Sequence, residues 1–436
     1  MSKINTRTVS KRKTHEGGKA QIIDAEKQLV RSVMACMLWE KSFYENGEDI
    51  AHRIKTLVHS CSPVFAANVA VNAREQMKLR HVPLLICREL ARHQHKDTIH
   101  VGNTLARCIQ RADELTEFLA IYWKEGKQPL SGQVKKGLAL AFKKFSAYDL
   151  AKYNRDEAVK LRDVLFLSHA KPMDADQAGV WKQLIDGTLA SPDTWEVELS
   201  ASKDKLASWN RLLKEKKLGA LALLRNLRNM TQAKVPTHNI REAILNINID
   251  RVLPFRFITA ARHNPDLEPE LESSMMKCIN RLDKFTGKTV ILVDVSGSME
   301  GQISSKSEIT RMDAACGVAI LAREMFSDVS VYTFSEKLAH VPARRGFALR
   351  DAIDKSQSHS GTYMGAAVKH LNLNVDYDRL IVFTDEQTAD AVPAPKGKGY
   401  IVNVSPEQNG VGYGNGWTHI DGFSESVLDY IVESEK

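Results

Sequence analysis

The hydrophobic period changes once along this 436-residue chain, and nothing else constrains its fold as much. From Ile22 to about Leu282 apolar residues recur at three- and four-residue steps. Leu29, Val33, Cys36 and Met37 do so, as do Leu84, Leu85, Cys87, Leu90 and Ala91. That spacing puts them on one face of a helix. Breakers such as Ser62-Pro63, Val82-Pro83, Gly126 to Pro129, Lys171-Pro172, Ser191-Pro192, Val235-Pro236 and Asn264-Pro265 punctuate the pattern. Helices of roughly 10–20 residues joined by short polar turns describe an antiparallel αα array of solenoid type. No repeat of fixed period is present in the sequence. At Lys288 the pattern switches. Thr289 to Val295 is a short, nearly continuous run of β-branched and aliphatic residues, suited to a strand buried on both faces. Val329 to Phe334, Arg379 to Phe383 and Tyr400 to Val404 repeat it. Helical patterns lie between them at Arg311 to Met325 and Met364 to Leu371, and another closes the chain at Ser424 to Ile431. Strands alternating with helices predict a doubly wound α/β domain with a mainly parallel sheet. The expected organisation is a basic disordered arm over 1–20, a helical-repeat region over 21–285 and an α/β domain over 286–436.

Charge divides at the same place. The whole chain carries 61 Lys+Arg against 53 Asp+Glu, a net +8. Residues 289–436 hold 13 basic and 20 acidic side chains, and residues 1–288 hold 48 and 33. The average therefore conceals a front of +15 and a back of −7. A basic excess of that size favours polyanions, because each neutralised phosphate releases a bound counterion. A helical surface rich in solvated lysines has the same composition, so charge alone does not separate the two. With 43% hydrophobic and 26% charged residues the chain is neither collagen-like nor wholly disordered. Six scattered cysteines without a Cys-x-x-Cys pair read as free thiols in a reducing compartment. No apolar run approaches the ~18 residues that span a bilayer, and Met1 to Ala20 is basic with no apolar segment behind it. A cytoplasmic protein is expected.

The sharpest local signal lies where the first strand ends. Asp294, Ser296 and Ser298 alternate in Asp-Val-Ser-Gly-Ser, so an extended turn aims one carboxylate and two hydroxyls at a common point. Gly297 lets the backbone bend between them. Open α/β sheets place ligands at this carboxyl edge. Thr362, after a serine-rich loop, and Asp385, ending the strand Leu380 to Thr384, are candidates to join them. An oxygen-only set of this kind suits a hard divalent cation such as Mg²⁺. A polar turn network without metal is the bland alternative. A nucleophilic serine is disfavoured, since the pattern is not Gly-x-Ser-x-Gly and no histidine stands in a triad order. The motif resembles the metal-ion-dependent adhesion site (MIDAS) of von Willebrand factor A domains, here as Asp294-x-Ser296-x-Ser298, Thr362 and Thr384-Asp385.

In the basic half, Lys152-Tyr-Asn-Arg155 precedes an apolar helix that contains Arg162 and ends in Ser168-His169-Ala-Lys171-Pro172. Arg155 and Arg162 share a face with Lys152 only if a turn separates them. His169 would sit at a helix end, where capping carbonyls is the ordinary role. Leu223 to Met230 sets Arg225 and Arg228 beside an apolar stripe, which a core helix with a solvated edge also explains. The segments Leu-Ser-His-Ala-Lys-Pro and Leu-Leu-Arg-Asn-Leu-Arg-Asn-Met resemble hallmark stretches of the TROVE domain. That family includes the Ro autoantigen and its bacterial counterparts, and its members continue into a von Willebrand factor A domain. The chain is short for the family. The resemblance implies a ring of antiparallel HEAT-like helical repeats closed by the A domain. It further implies a monomeric, non-enzymatic RNA-binding scaffold holding Mg²⁺, with an exoribonuclease as a candidate partner. Single-stranded 3′ ends of misfolded noncoding RNA would enter a basic central hole, and small Y-like RNAs would bind outside, in RNA quality control or degradation. On that reading Lys152 and His169 line the hole, with Arg155, Arg162 and Lys171 as neighbours. Lys135, Lys136, Lys143, Lys144, Arg88, Arg92, His93, His95, Lys96, Arg107 and Arg111 are candidates for the outer surface. The rival class is a metal-dependent protein-interaction adaptor that uses the A domain without RNA.

Overall fold

The computed structural model describes residues 24–34, 47–77, 79–249, 252, 254–279, 284–303, 309–405, 416–422 and 426–435. The basic arm, Cys36 and the beginning of the last helical pattern at Ser424 lie outside them. Helices run from Ala25–Met34 to Glu268–Ile279, where the 3.6-residue period predicts them. Many start on a side-chain cap that satisfies a free backbone N–H. Ser62 accepts from Phe65 N, Ser131 from Val134 N, Asp174 from Gln177 N, and Ser146 with Asp149 forms a reciprocal box. Several helices are shorter than the periodicity suggests. Ala147–Tyr153 and Trp195–Ala201 have seven residues each, because loops end them before the apolar stripe can extend.

Six strands follow: β1 (Phe285–Asp294), β2 (Phe326–Phe334), β3 (Leu338–Val341), β4 (Arg379–Thr384), β5 (Lys398–Asn403) and β6 (Trp417–Asp421). They form one sheet in the order β3-β2-β1-β4-β5-β6. Every pair is parallel except β2–β3. The four strands expected from apolar runs are present. β3, β6 and the helix Gly346–Asp354 were not anticipated. β3 is four residues long and half exposed at an edge, and β6 carries Thr418 and His419 in its middle, so neither reads as an apolar run. β4 is buried at all six positions, as a central parallel strand must be.

Secondary structure changes near residue 285, but packing is continuous there. One buried apolar cluster runs from Leu29 to Leu184. A second runs from Trp209 through Phe257 and Ile279 into Ile291, Ile320 and Phe383, joining the later helices to one face of the sheet. A third covers the opposite face with Leu292, Met364, Val368 and Leu371. Polar contacts pin the same junction. The Glu272 carboxylate accepts from Phe347 N at 2.7 Å, and Arg262 pairs with Asp313 at 2.8 Å.

Candidate functional site

The strand order reverses direction beside β1, so the loops after β1 and β4 open a crevice at the carboxyl edge of the sheet. The alternating motif sits there. Asp294 is fully buried. Its Oδ1 accepts from Ser296 N at 2.9 Å, and its Oδ2 from the Thr384 hydroxyl at 2.6 Å. Those bonds turn the chain so that Ser296 Oγ and Ser298 Oγ approach to 3.2 Å. The loop carrying Thr362 lies alongside: a Cβ on Gly297 would stand 3.4 Å from the His359 carbonyl. Thr362 itself is buried, and its carbonyl accepts from Ala389 N and the Thr388 hydroxyl. Asp385 is buried next to Thr384, and its Oδ2 is paired with Arg311 at 2.9 Å. The geometry therefore joins the three chain segments named from the sequence.

Electrostatics distinguish this pocket from a plain polar turn. Burial, and then the neighbouring Asp385 charge, push the Asp294 carboxyl up to about 7, against the lowering effect of its bonds from Ser296 and Thr384. Arg311 pairs with Asp385, whereas Asp294 meets only neutral donors among the described residues, Ser296 N and the Thr384 hydroxyl. Among the described residues no group of three or more His, Cys, Asp or Glu side chains could hold a metal ion. Hydroxyls must complete any ligand set, and Ser296, Ser298 and Thr362 offer them. An oxygen-only set built around a buried carboxyl that is paired with no cation among the described residues fits a hard cation.

Sequence reasoning missed what lies directly behind. Glu386 adopts a left-handed backbone, with φ at 61°. Its N–H donates to Thr384 Oγ1, and its buried carboxylate meets Arg31 at 3.0 Å and His419. Arg31 belongs to the first described helix and His419 to β6, so this contact ties the front of the chain to its end. Burial alone would raise the Glu386 carboxyl, but Arg31 and His419 overrule it and hold the group below its ordinary value. A lone His or Arg in the sequence gives no sign of such a partnership.

The basic segment of the helical half is exposed except at Lys152, which is half-buried. Lys152 lies in the last turn of the helix Ala147–Tyr153, a loop carries Arg155, and Arg162 lies in the first turn of the helix Leu161–Ser168, so a turn does separate them. His169 caps that helix in the left-handed region at φ 53°, its N–H donating to the Phe166 carbonyl. Its ring is exposed and forms no hydrogen bond or ion pair among the described residues. Arg155, Arg162 and Lys171 are exposed as well. Among the described residues none of the five basic candidates forms a salt bridge, although the Arg162 charge, after Lys160, helps hold the Asp156 carboxyl below its ordinary value. Lys152 Nζ lies 5.6 Å from the Tyr153 ring and 5.9 Å from that of Tyr148. The same two helices carry exposed aromatics: Tyr148 is 50% and Phe166 58% exposed. Some outer-surface candidates are misplaced. Arg88 is 1% and His93 2% exposed, Arg88 because it pairs with Glu89 and Glu125 across packed helices. Arg107 is held by Glu75, Arg111 by Asp113, and Lys144 by the carbonyls of Ala106 and Ile109. In the second hallmark segment Leu223, Leu224, Leu227 and Met230 are core, while Asn226 is buried and bonds Ala222 and Asn229.

Comparison with known proteins adds three findings. Residues 166–328 match the TROVE domain family. Telomerase protein component 1 of Rattus norvegicus is 32% identical over 109 residues, which is 23% of this chain and 4% of that protein. Its Mus musculus counterpart is 34% identical over 92 residues, again 4% of its length. The chain thus matches only a small part of these relatives. Among solved structures, the Deinococcus radiodurans RO (RSR) protein superposes with a TM-score of 0.63 at 18% identity, covering 94% of this chain and 99% of that one. At that identity the likeness is one of fold.

Proposed function

Since the chain carries a TROVE domain and has the fold of an RO protein, we propose that it is the RNA-binding scaffold of a Ro-type ribonucleoprotein. The observation that carries this reading is the basic segment from Lys152 to Lys171. Lys152 stands beside the rings of Tyr148 and Tyr153, and Arg155, Arg162, His169 and Lys171 are exposed and form no salt bridge among the described residues. Lysine and arginine supply phosphate contacts without sequence readout, and aromatic rings stack on bases of any identity. In the finer form of the proposal the helices make a HEAT-like ring whose hole admits single-stranded 3′ ends of misfolded noncoding RNA. Lys152, Arg155, Arg162, His169 and Lys171 line the entry, and a Y-like RNA binds outside. Selection then rests on an accessible end and not on a base sequence. A cytoplasmic monomer that delivers RNA to an exoribonuclease fits this reading.

The A domain would hold Mg²⁺ through Asp294, Ser296 and Ser298, with Thr362 and Asp385 completing the set. Bound there, the ion supplies a Lewis-acidic site that accepts a partner's carboxylate or a water. Asp294 holds the turn through its bond from Ser296 N, the Thr384 hydroxyl donates to its other oxygen, and Arg311 pairs with Asp385 inside the fold. No covalent step is required of any of them.

A gel shift with duplex RNA carrying a single-stranded 3′ tail tests the proposal. Wild type should bind in a salt-sensitive way, and Lys152→Ala/His169→Ser should bind at least tenfold more weakly, about the worth of one stacked base and one phosphate contact. Equal binding by both would refute it. Metal-dependent, nuclease-resistant protein partners lost in Asp294→Ala, with no RNA bound, would favour the adaptor reading instead.

A further inference from the structure

A cleft of about 740 Å³ opens between the helices Lys205–Lys214, Ala220–Gln232 and Thr237–Leu245. That is within the roughly 300–1,000 Å³ of small-ligand sites. It belongs to the apolar core shared with the sheet, whereas the Lys152–His169 segment packs on the other core. Neither the metal centre nor the basic loop uses it.

Three kinds of group line the cleft. Leu212, Leu218, Leu223 and Ile247 give it an apolar floor. Asn210 and Asn239 form a side-chain pair, with Asn239 Nδ2 donating to Asn210 Oδ1 at 3.1 Å. Both are half-buried, and neither amide makes another hydrogen bond among the described residues. One bond between two primary amides consumes one donor and one acceptor. Whichever way each amide is turned, the pair keeps three N–H hydrogens and one carbonyl to offer. Lys214 and Lys216 supply positive charge at the edge, and no carboxylate is paired with them among the described residues. Their neighbours differ. Arg211 and Lys217 are already spent on Asp193, Glu198 and Glu215. Glu242 also lines the cleft and is, among the described residues, the one carboxylate facing it.

An apolar floor, an amide edge with both donors and an acceptor, and two uncommitted lysines answer to the parts of a nucleotide. A base needs a flat apolar contact and hydrogen bonds along its edge, and asparagine meets both polarities on a base edge. A phosphate needs cations. Glu242 would repel a phosphate, but it can accept from an exocyclic amine. We propose that this cleft receives one unpaired nucleotide of the bound RNA. Its base lies on the leucine floor against Asn210 and Asn239, and its phosphate meets Lys214 and Lys216. The inference rests on the RNA-binding reading and adds a second, separate contact to it.

The test uses the full chain and duplex RNA with a single-stranded 3′ tail and an internal bulge, with 4-thiouridine at one position at a time. Ultraviolet crosslinking followed by peptide mapping should place at least one crosslink within residues 210–223 or 239–248. Lys214→Glu/Lys216→Glu changes only exposed side chains and should weaken binding about five- to 100-fold, the range of one stacked base with its phosphate. Ala243→Trp, which fills the cleft, should remove the crosslink and leave that at the Lys152–His169 segment in place. Crosslinks confined to other segments, together with wild-type affinity in the lysine variant, would overturn the proposal while leaving the RNA-binding reading intact. Absence of any RNA binding by wild type would overturn both. Binding of an acidic peptide in the cleft, with RNA unable to compete, would also overturn it.

Discussion

Replacing Arg31 with alanine should loosen the join between the first described helix and the sheet. The Arg31 side chain is 2% exposed and that of Glu386 0%, so solvent screens their pair little. Removing one partner of a buried pair strands the other charge and typically costs about 3–5 kcal/mol. His419 still touches Glu386, so the low end, about 3 kcal/mol, is expected here. At about 1.4 kcal/mol per tenfold, that is roughly a 100-fold larger open population. Hydrogen exchange read by mass spectrometry on peptides covering 25–34 and 417–421 reports it directly. Both should exchange about 100-fold faster, while the 364–374 helix on the opposite face should not change. Arg31→Met/Glu386→Gln removes both charges of the pair and should recover most of the protection, because the buried carboxylate is no longer left without its arginine. Acceleration below about threefold in the single variant, or no recovery in the double, would refute the reasoning. The pH dependence has a definite sign. Glu386 is held below its ordinary value when folded, so its stabilisation is present above the unfolded carboxyl range near ~4.3. It is lost as pH falls through the folded value.

Asp294 should behave in the opposite sense. Its folded carboxyl, raised to about 7, favours the metal-free protein at low pH, and that contribution fades as pH rises through 7. The thermal stabilisation gained on adding Mg²⁺ should therefore be larger at pH 8 than at pH 6, by calorimetry with chelator as control. Asp294→Asn should abolish the difference, and an equal gain at both pH values would count against the site. Gly365→Ala should lower stability by about 1–3 kcal/mol in chemical denaturation, since its Cβ would stand 2.2 Å from the Ala391 carbonyl oxygen. Phe383→Ala, at a fully buried position of β4, should cost about 3–5 kcal/mol by the same measurement.

Much of the fold was legible because local patterns and tertiary burial agree. β4 and residues 289–294 of β1 are buried on both faces, so each leaves an apolar run; the helix Arg311–Met325 begins on the Thr310–Asp313 box and coincides with its predicted span. β3 and β6 were not legible, because an edge strand and one carrying polar residues leave no such run. Within the candidate site, Asp294, Ser296 and Ser298 are neighbours along the chain, so alternation alone could show their convergence. Arg311, Glu386, Arg31 and His419 could not be found that way. Arg88 was misjudged for a related reason: its charge suggested a surface, and only helix packing supplies the carboxylates that let it lie inside.

What the sequence determined by itself is local: hydrophobic period, turn chemistry, the charge of each half, and a motif whose members lie within five residues. These follow from backbone geometry and side-chain chemistry over one or two turns of chain. Only the tertiary structure decided which charges are free and which are spent. Whether a lysine can meet a phosphate, or an arginine is consumed by a buried carboxylate from a distant segment, depends on distances that folding alone creates. Lys214 and Lys217 are three positions apart, and one is open while the other is bound.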